Sequence, residues 1–326
     1  MAPRAAILGV AGPRLTADER ALFRAAPPMG AILFRRNVET PAQLRALTAE
    51  LREVLGERAP ILVDQEGGRV ARLRPPHWPA FPPMAAFEGR DAAAAEANGA
   101  LIGLACRDAG FDVVCAPVLD LRLPGAHEVV GDRSPSADPA EVARIGAALL
   151  RGLHAAGVQG VMKHIPGHGR ALVDSHEALP RVAASAADLA ADIAPFAALA
   201  GAGAWAMTAH ILYDAWDTER PATLSPAVIG RVIRGEIGFD GPLLSDDLAM
   251  RALSGEPGAL AEAAIAAGCD AVLYCPGDAA GNAAVLARCP ALSEASQARF
   301  AAARAAVRPR PLDAARLLAL RDPALA

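Results

Sequence analysis

AILFRRNVETPAQLRALTAELREVLGERAPILVD, residues 31–64, holds the pattern on which the fold turns. It opens on the apolar run AILF (31–34) and closes on ILVD (61–64), with a segment of helical period over 41–57 between them. Short runs of nearly continuous apolar character are what strands look like when helices cover the sheet. A strand, a helix and a second strand in this order make a parallel pair joined by a crossover.

The same unit repeats outward in both directions. AAILGVA (5–11), DVVCAPVLD (112–120), GVMKHI (160–165), WAMTAHI (205–211), PLLSDD (242–247) and AVLYC (271–275) join the first two runs to make eight strands. Helices are expected at 16–26, 41–57, 92–109, 138–156, 186–202, 225–236 and 258–268, with two more near 279–288 and 293–306. Eight β/α units fit a closed (β/α)8 barrel better than an open sheet. The absence of GxGxxG after the first strand also argues against a dinucleotide-binding sheet. The expectation is α/β, one barrel domain over 1–326, with 308–326 a peripheral tail containing a turn and a short helix.

Composition narrows the function. The chain has 326 residues, 53% of them hydrophobic, about a quarter alanine, and a formal charge of −4. That balance lacks the clustered positive charge of a nucleic-acid footprint, so no nucleic-acid partner is expected. No stretch long enough to span a membrane is free of charges and turn breakers. The apolar run at the N-terminus is short and followed by Gly12-Pro13-Arg14 and acidic residues, so it reads as a buried strand rather than an export signal. Cys106, Cys115, Cys269, Cys275 and Cys289 form no CxxC pair and have apolar neighbours, as small core residues in a reducing compartment do. A cytoplasmic chain without a membrane partner is expected, and a monomer is favoured.

Polar residues collect at the C-terminal ends of the expected strands, where barrel active sites are built. Strand three ends in Asp64-Gln65-Glu66, with Arg69 and Arg72 close behind; a loop after strand four carries Asp132-Arg133. Strand five ends in Lys163-His164 and runs into a loop closing on Asp174-Ser175-His176. Strand six ends in His210 and strand seven in Asp246-Asp247. Singly, Asp64 or Asp247 reads equally well as a helix N-cap, and Arg69, Arg72 or Arg133 as surface charge. His77 and His154 read as structural or exposed. Lys163 stands apart: it is the one lysine among 32 Lys and Arg. A position that keeps an ammonium under such a bias calls for a compact three-donor cation, unless it survives by chance.

Carboxylates and histidines gathered at one barrel mouth suit general acid–base or nucleophilic work. A metal hydrolase built on His164, His168 and His176 is a rival, although the spacing matches no zinc motif. A Schiff-base aldolase using Lys163 is another, against which stand the polar neighbours of that lysine.

KHIPGHGRALVDSH (163–176) resembles the signature of the bacterial β-N-acetylglucosaminidases of glycoside hydrolase family 3 at every fixed position. DQEGGRVARLR (64–74), GDRS (131–134), TAHI (208–211) and SDDLAM (245–250) also look like that family. The resemblance implies a barrel enzyme of cell-wall recycling that works by retention through a covalent glycosyl-enzyme and needs no cofactor or metal. By motif position Asp246 is the nucleophile and His176 the acid/base, oriented by Asp174. Asp64, Arg72, Arg133, Lys163 and His164 bind the sugar, with Asp64 and Lys163 suited to ring hydroxyls and Arg133 to the acetamido carbonyl. The implied substrate is a muropeptide fragment, N-acetylglucosamine linked β-1,4 to 1,6-anhydro-N-acetylmuramic acid, with or without peptide. Retaining hydrolysis ordinarily uses two carboxyls about 5–5.5 Å apart; here a histidine stands for one of them. Alternatives are a β-glucosidase or glycoside phosphorylase on the same fold, and a non-catalytic saccharide-binding barrel. The Pro166-Gly167-His168-Gly169 stretch reads as a mobile loop that carries His176 over the sugar.

Overall fold

The computed structural model describes residues 2–325, so the first and last residues of the expected domain lie outside it. Eight parallel strands close into a barrel: β1 (Arg4–Gly9), β2 (Pro28–Leu33), β3 (Ile61–Val63), β4 (Val113–Val114), β5 (Gln159–Ile165), β7 (Trp205–Thr208), β9 (Leu243–Asp247) and β10 (Ala271–Tyr274), with β10 pairing back onto β1. The ring is in chain order, as crossover units require. Two further strands, β6 (Arg181–Val182) and β8 (Leu212–Tyr213), pair with each other outside the barrel. No pattern of residues marks them, because two residues are too few to show a period.

The expected strand over 112–120 shrinks to Val113–Val114. Pro117 has no N–H to give a neighbour, and Val118 returns only as a single bridge to Lys163. The strands of the ring are buried along nearly their whole length, from Ile7 and Leu8 on β1 to Val272 and Leu273 on β10.

Helices α1 (Ala17–Ala25), α2 (Pro41–Leu55), α3 (Ala92–Asp108), α4 (Pro139–Ala155) and α5 (Ala186–Ala198) follow their strands as expected. Thr16 caps α1 with its hydroxyl on the Glu19 amide while Glu19 reaches back, a reciprocal box. Thr40 caps α2, Pro41 sits in its first turn, and Gly56 at φ 98° ends it. The segment Val228–Glu236 is helical as expected but wound as a π-helix. Helices α6 (Pro257–Ala267), α7 (Ala279–Arg288) and α8 (Glu294–Ala306) complete the outer layer, and α9 (Ala314–Arg321) is the short helix expected in the tail. Its Arg321 lies buried near Asn98 of α3.

The alanine- and glycine-rich composition has a use in the outer layer. A Cβ on Gly99 of α3 would lie 2.2 Å from the Leu149 carbonyl oxygen of α4, and one on Gly152 2.1 Å from that of Glu96. The two helices meet backbone to backbone, which a larger side chain at either position would prevent.

Candidate active site

The C-terminal mouth of the barrel holds a cavity of about 170 Å³. Asp64, Arg72, Arg133, Lys163, His164, His176 and Asp246 all line it, and Asp174 stands behind His176. The eight candidate residues, scattered along the chain from Asp64 to Asp246, are thus brought to one place. Ile32, Phe34, Met207, Met250, Leu273 and Cys275 supply its apolar wall.

Lys163 and His164 are neighbours in sequence, and a regular strand would point them to opposite faces. The β5–β7 register shifts between Lys163 and Ile165, and both side chains reach the cavity. Lys163 is buried at 2% exposure, with Nζ 2.9 Å from Asp64 Oδ1 and 2.6 Å from Glu66 Oε1. Arg133 grips Glu66 with two bonds of 2.8 Å, and Arg72 Nη2 lies 3.0 Å from Asp64 Oδ2.

The result is a chain of alternating charge: Arg72, Asp64, Lys163, Glu66, Arg133. Burial alone would push both carboxyls up; Lys163 and Arg72 outweigh it at Asp64, which falls well below the usual range. Arg133 and Lys163 do the same at Glu66 and hold it at about 2. Burial likewise works against the ammonium of Lys163, but Asp64 and Glu66 raise it above its ordinary value, so it stays charged. A charged, fully paired lysine is a poor imine-forming nucleophile, which tells against the aldolase reading.

Asp246 is half-buried at the end of β9, where its Oδ1 accepts the Asp247 amide at 2.8 Å. Burial pushes its carboxyl up, but His164, His210, that amide and Lys163 together bring it below the usual range. Asp247 lines the cavity as well, but its Oδ1 is engaged: it accepts the amides of Ala249 and Cys275 and so fixes the strand end. His210, fully buried, hydrogen-bonds Thr223 through Nδ1 at 2.7 Å and the Asp247 carbonyl through Nε2 at 3.0 Å. It is a strut beneath the acidic pair.

His176 sits at the rim with its side chain 65% exposed, and its Nδ1 lies 2.7 Å from Asp174 Oδ1. Asp174 also accepts the His176 amide at 2.9 Å, which fixes the pair as a unit. The other nitrogen, Nε2, is left free for a proton transfer.

Residues 8–307 match the family model described as the glycosyl hydrolase family 3 N terminal domain. The chain belongs to glycosyl hydrolase family 3. Curated relatives of this family 3 hydrolase include a beta-hexosaminidase of Pseudomonas aeruginosa, 41% identical over 274 residues that cover 82% of this chain and 81% of that one. A beta-hexosaminidase of Alkalilimnicola ehrlichii is 43% identical over 283 residues, 82% and 80% of the two chains. Among solved structures, NagZ from Neisseria gonorrhoeae in complex with N-trifluoroacetyl-D-glucosamine superposes with a TM-score of 0.86 at 31% identity, over 100% of this chain and 97% of that one. A family 3 β-N-acetylglucosaminidase from Paenibacillus gives 0.85 at 35% identity, over 95% of this chain and 63% of that one. The barrel expectation and the enzyme expectation both stand.

Two residues of this hydrolase escaped the sequence reading. Glu66, mentioned above only as a neighbour of Asp64, pairs with Lys163 and Arg133. Asp120, the last residue of the fourth apolar run, is fully buried and bonds His164 Nδ1 at 2.7 Å. Its position at a strand end was the available signal. Arg69 lies at the exposed rim, paired with Asp132, as a surface reading allows. Burial drives His154 down to about 4, so it is a neutral structural residue.

The expected mobile stretch Pro166–Gly169 is instead packed. A Cβ on Gly169 would lie 2.4 Å from the Leu121 carbonyl oxygen, and Gly167, at φ 137°, presses on Asp192. These glycines permit close approach; the exposed arc comes later, over 172–179, with Leu172 at 69% exposure. Among the described residues no three His, Cys, Asp or Glu are grouped to hold a metal, and no helix is long and apolar enough to cross a membrane.

Proposed function

We propose that this site removes terminal, non-reducing β-linked N-acetylglucosamine from muropeptide fragments by retention, through a covalent glycosyl-enzyme. The chain is a β-N-acetylhexosaminidase of family 3. The observation that carries the finer reading is the placement of an ionised Asp246 and the Asp174–His176 pair on one cavity. Asp246 attacks the anomeric carbon from one face while His176 Nε2 gives its proton to the departing glycosidic oxygen. In the second step His176 takes a proton from water, and the hydroxide displaces Asp246 from the sugar.

Asp174 holds the imidazole by Nδ1 and so fixes its orientation through both steps. Asp64, Arg72, Arg133, Lys163 and His164 bind hydroxyls and the acetamido group at fixed positions. Their mutual ion pairs mean that little reorganisation is needed when the sugar arrives. The Neisseria NagZ complex supports the sugar assignment, since that protein holds an N-acylated glucosamine. Release of a 1,6-anhydro-muramoyl product in the cytoplasm follows from this reading, in keeping with five buried, unpaired cysteines.

The test is turnover of a chromogenic N-acetyl-β-glucosaminide against the matching glucoside, followed by GlcNAc-1,6-anhydroMurNAc. A 5-fluoro glycosyl fluoride should label Asp246, and Asp246→Ala should abolish turnover in a folded protein. A label on Asp247, or equal activity on the glucoside, overturns the reading.

A further inference from the structure

We propose that Asp120, His168 and Ser175 form a positioning relay that seats the loop carrying His176 over Asp246; the proposal rests on the reading of His176 as acid/base. The exposed arc 172–179 has one buried side chain, Ser175 at 3% exposure, and it lies between Asp174 and His176. The hydrogen bonds of His176 go to Asp174, and those of Glu177 and Ala178 go back to the Asp174 carbonyl. Among the described residues Ser175 alone bonds from this arc to the rest of the barrel. Its carbonyl accepts the Ala252 amide at 3.1 Å, on the segment that follows Asp246, and its hydroxyl lies 3.2 Å from His168 Nε2.

Behind Ser175 the relay is buried throughout. His168 is 4% exposed and Asp120 fully enclosed. Asp120 Oδ1 accepts the amides of His164 (3.0 Å) and His168 (2.7 Å), so one carboxylate fixes both ends of the turn leaving β5. Burial, with His164 close by, pushes His168 down to about 4, so its ring is neutral and carries one N–H. His168 Nδ1 is buried without a partner. A proton there would be an orphaned donor, whereas a proton on Nε2 is donated to the Ser175 hydroxyl. The tautomer thus follows from burial, and it points the donor at the loop. His164, which lines the cavity, and His176, at its rim, are located by the same carboxylate.

The relay touches no reacting atom, so its loss should appear in the steps that need His176 and leave sugar binding alone. Ser175→Ala removes the hydroxyl from a surface loop without opening the barrel. Across a series of aryl N-acetyl-β-glucosaminides, kcat/KM should fall about 10-fold for poor leaving groups, the effect of one lost hydrogen bond. It should fall little for a dinitrophenyl group, which departs without a proton, and KM should hold. Azide should restore the second step, Ser175→Thr should keep activity, and His168→Gln should repeat the pattern of Ser175→Ala. An equal fall for every leaving group, or no fall, overturns the relay. His176→Ala in the same series separates the two readings. If it shows the leaving-group dependence and Ser175→Ala does not, the relay alone falls; if it shows none, the acid/base assignment falls and the relay with it.

Discussion

Replacing Lys163 by Met takes the ammonium from between the buried Glu66 and the partly buried Asp64 and leaves its volume nearly unchanged. Breaking a buried pair costs about 3–5 kcal/mol, because the surviving charge loses its compensation. Here Glu66 keeps Arg133 and Asp64 keeps Arg72, so the lower end, about 3 kcal/mol, applies. Unfolding entropy of about 2.1 cal/mol/K per residue gives roughly 0.7 kcal/mol/K for 326 residues, and hence a Tm lowered by about 4–5 °C at pH 7. The deficit should depend on pH with a definite sign. Glu66 is held at about 2 in the fold, below the ordinary value of 4.5, so its contribution is full above about 4.5 and is lost as pH falls towards 2. Without Lys163 that depression is smaller. Calorimetry should therefore find wild type and Lys163→Met furthest apart at neutral pH and converging between about pH 4.5 and 2. A cycle with Glu66→Gln should show the two substitutions to be coupled, since the residues touch. A Tm difference below about 1 °C at pH 7, or a gap that fails to narrow in acid, would refute the reasoning.

Lys163→Arg keeps the charge, but a planar fork does not fit between Asp64 and Glu66; kcat/KM should drop at least about 10-fold, and full activity would mark the lone lysine as a compositional accident. Gly169→Ala drives a Cβ into the Leu121 carbonyl and should destabilise the fold by about 1–3 kcal/mol in urea titrations; an unchanged midpoint would mean that the turn yields. Burial raises the thiols of all five cysteines, Cys269 and Cys289 to about 12, so the four that do not line the cavity should not react with a disulfide reagent until the protein is denatured. Rapid reaction of one of these thiols would show that its cover opens. Prolonged treatment with a chelator should leave turnover unchanged; a loss reversed by a divalent ion would bring back a metal role for His164, His168 and His176.

The barrel was legible in the order of the residues alone. Eight apolar runs alternating with helical segments leave few other ways to bury both faces of a parallel sheet, and the ring closes in that order. The order of residues also marked the cavity lining, because catalytic groups in such a barrel stand at strand ends, and strand ends can be read from where apolar runs stop.

Tertiary structure decided what periodicity cannot carry. The inward turn of both Lys163 and His164 accompanies a register shift between two strands, β5 and β7, that are distant in the chain. Glu66 and Asp120 draw their roles from partners distant in sequence, 67 residues between Glu66 and Arg133 and 44 between Asp120 and His164. A carboxylate looks the same in a string of letters whether it caps a helix or neutralises a buried cation; the surrounding charges and the lost water make the difference. The Pro-Gly-His-Gly stretch makes the same point. Glycine gives a chain freedom when its surroundings are empty and close approach when they are full, and only the backbone of Leu121, pressed against Gly169, settles which of the two applies.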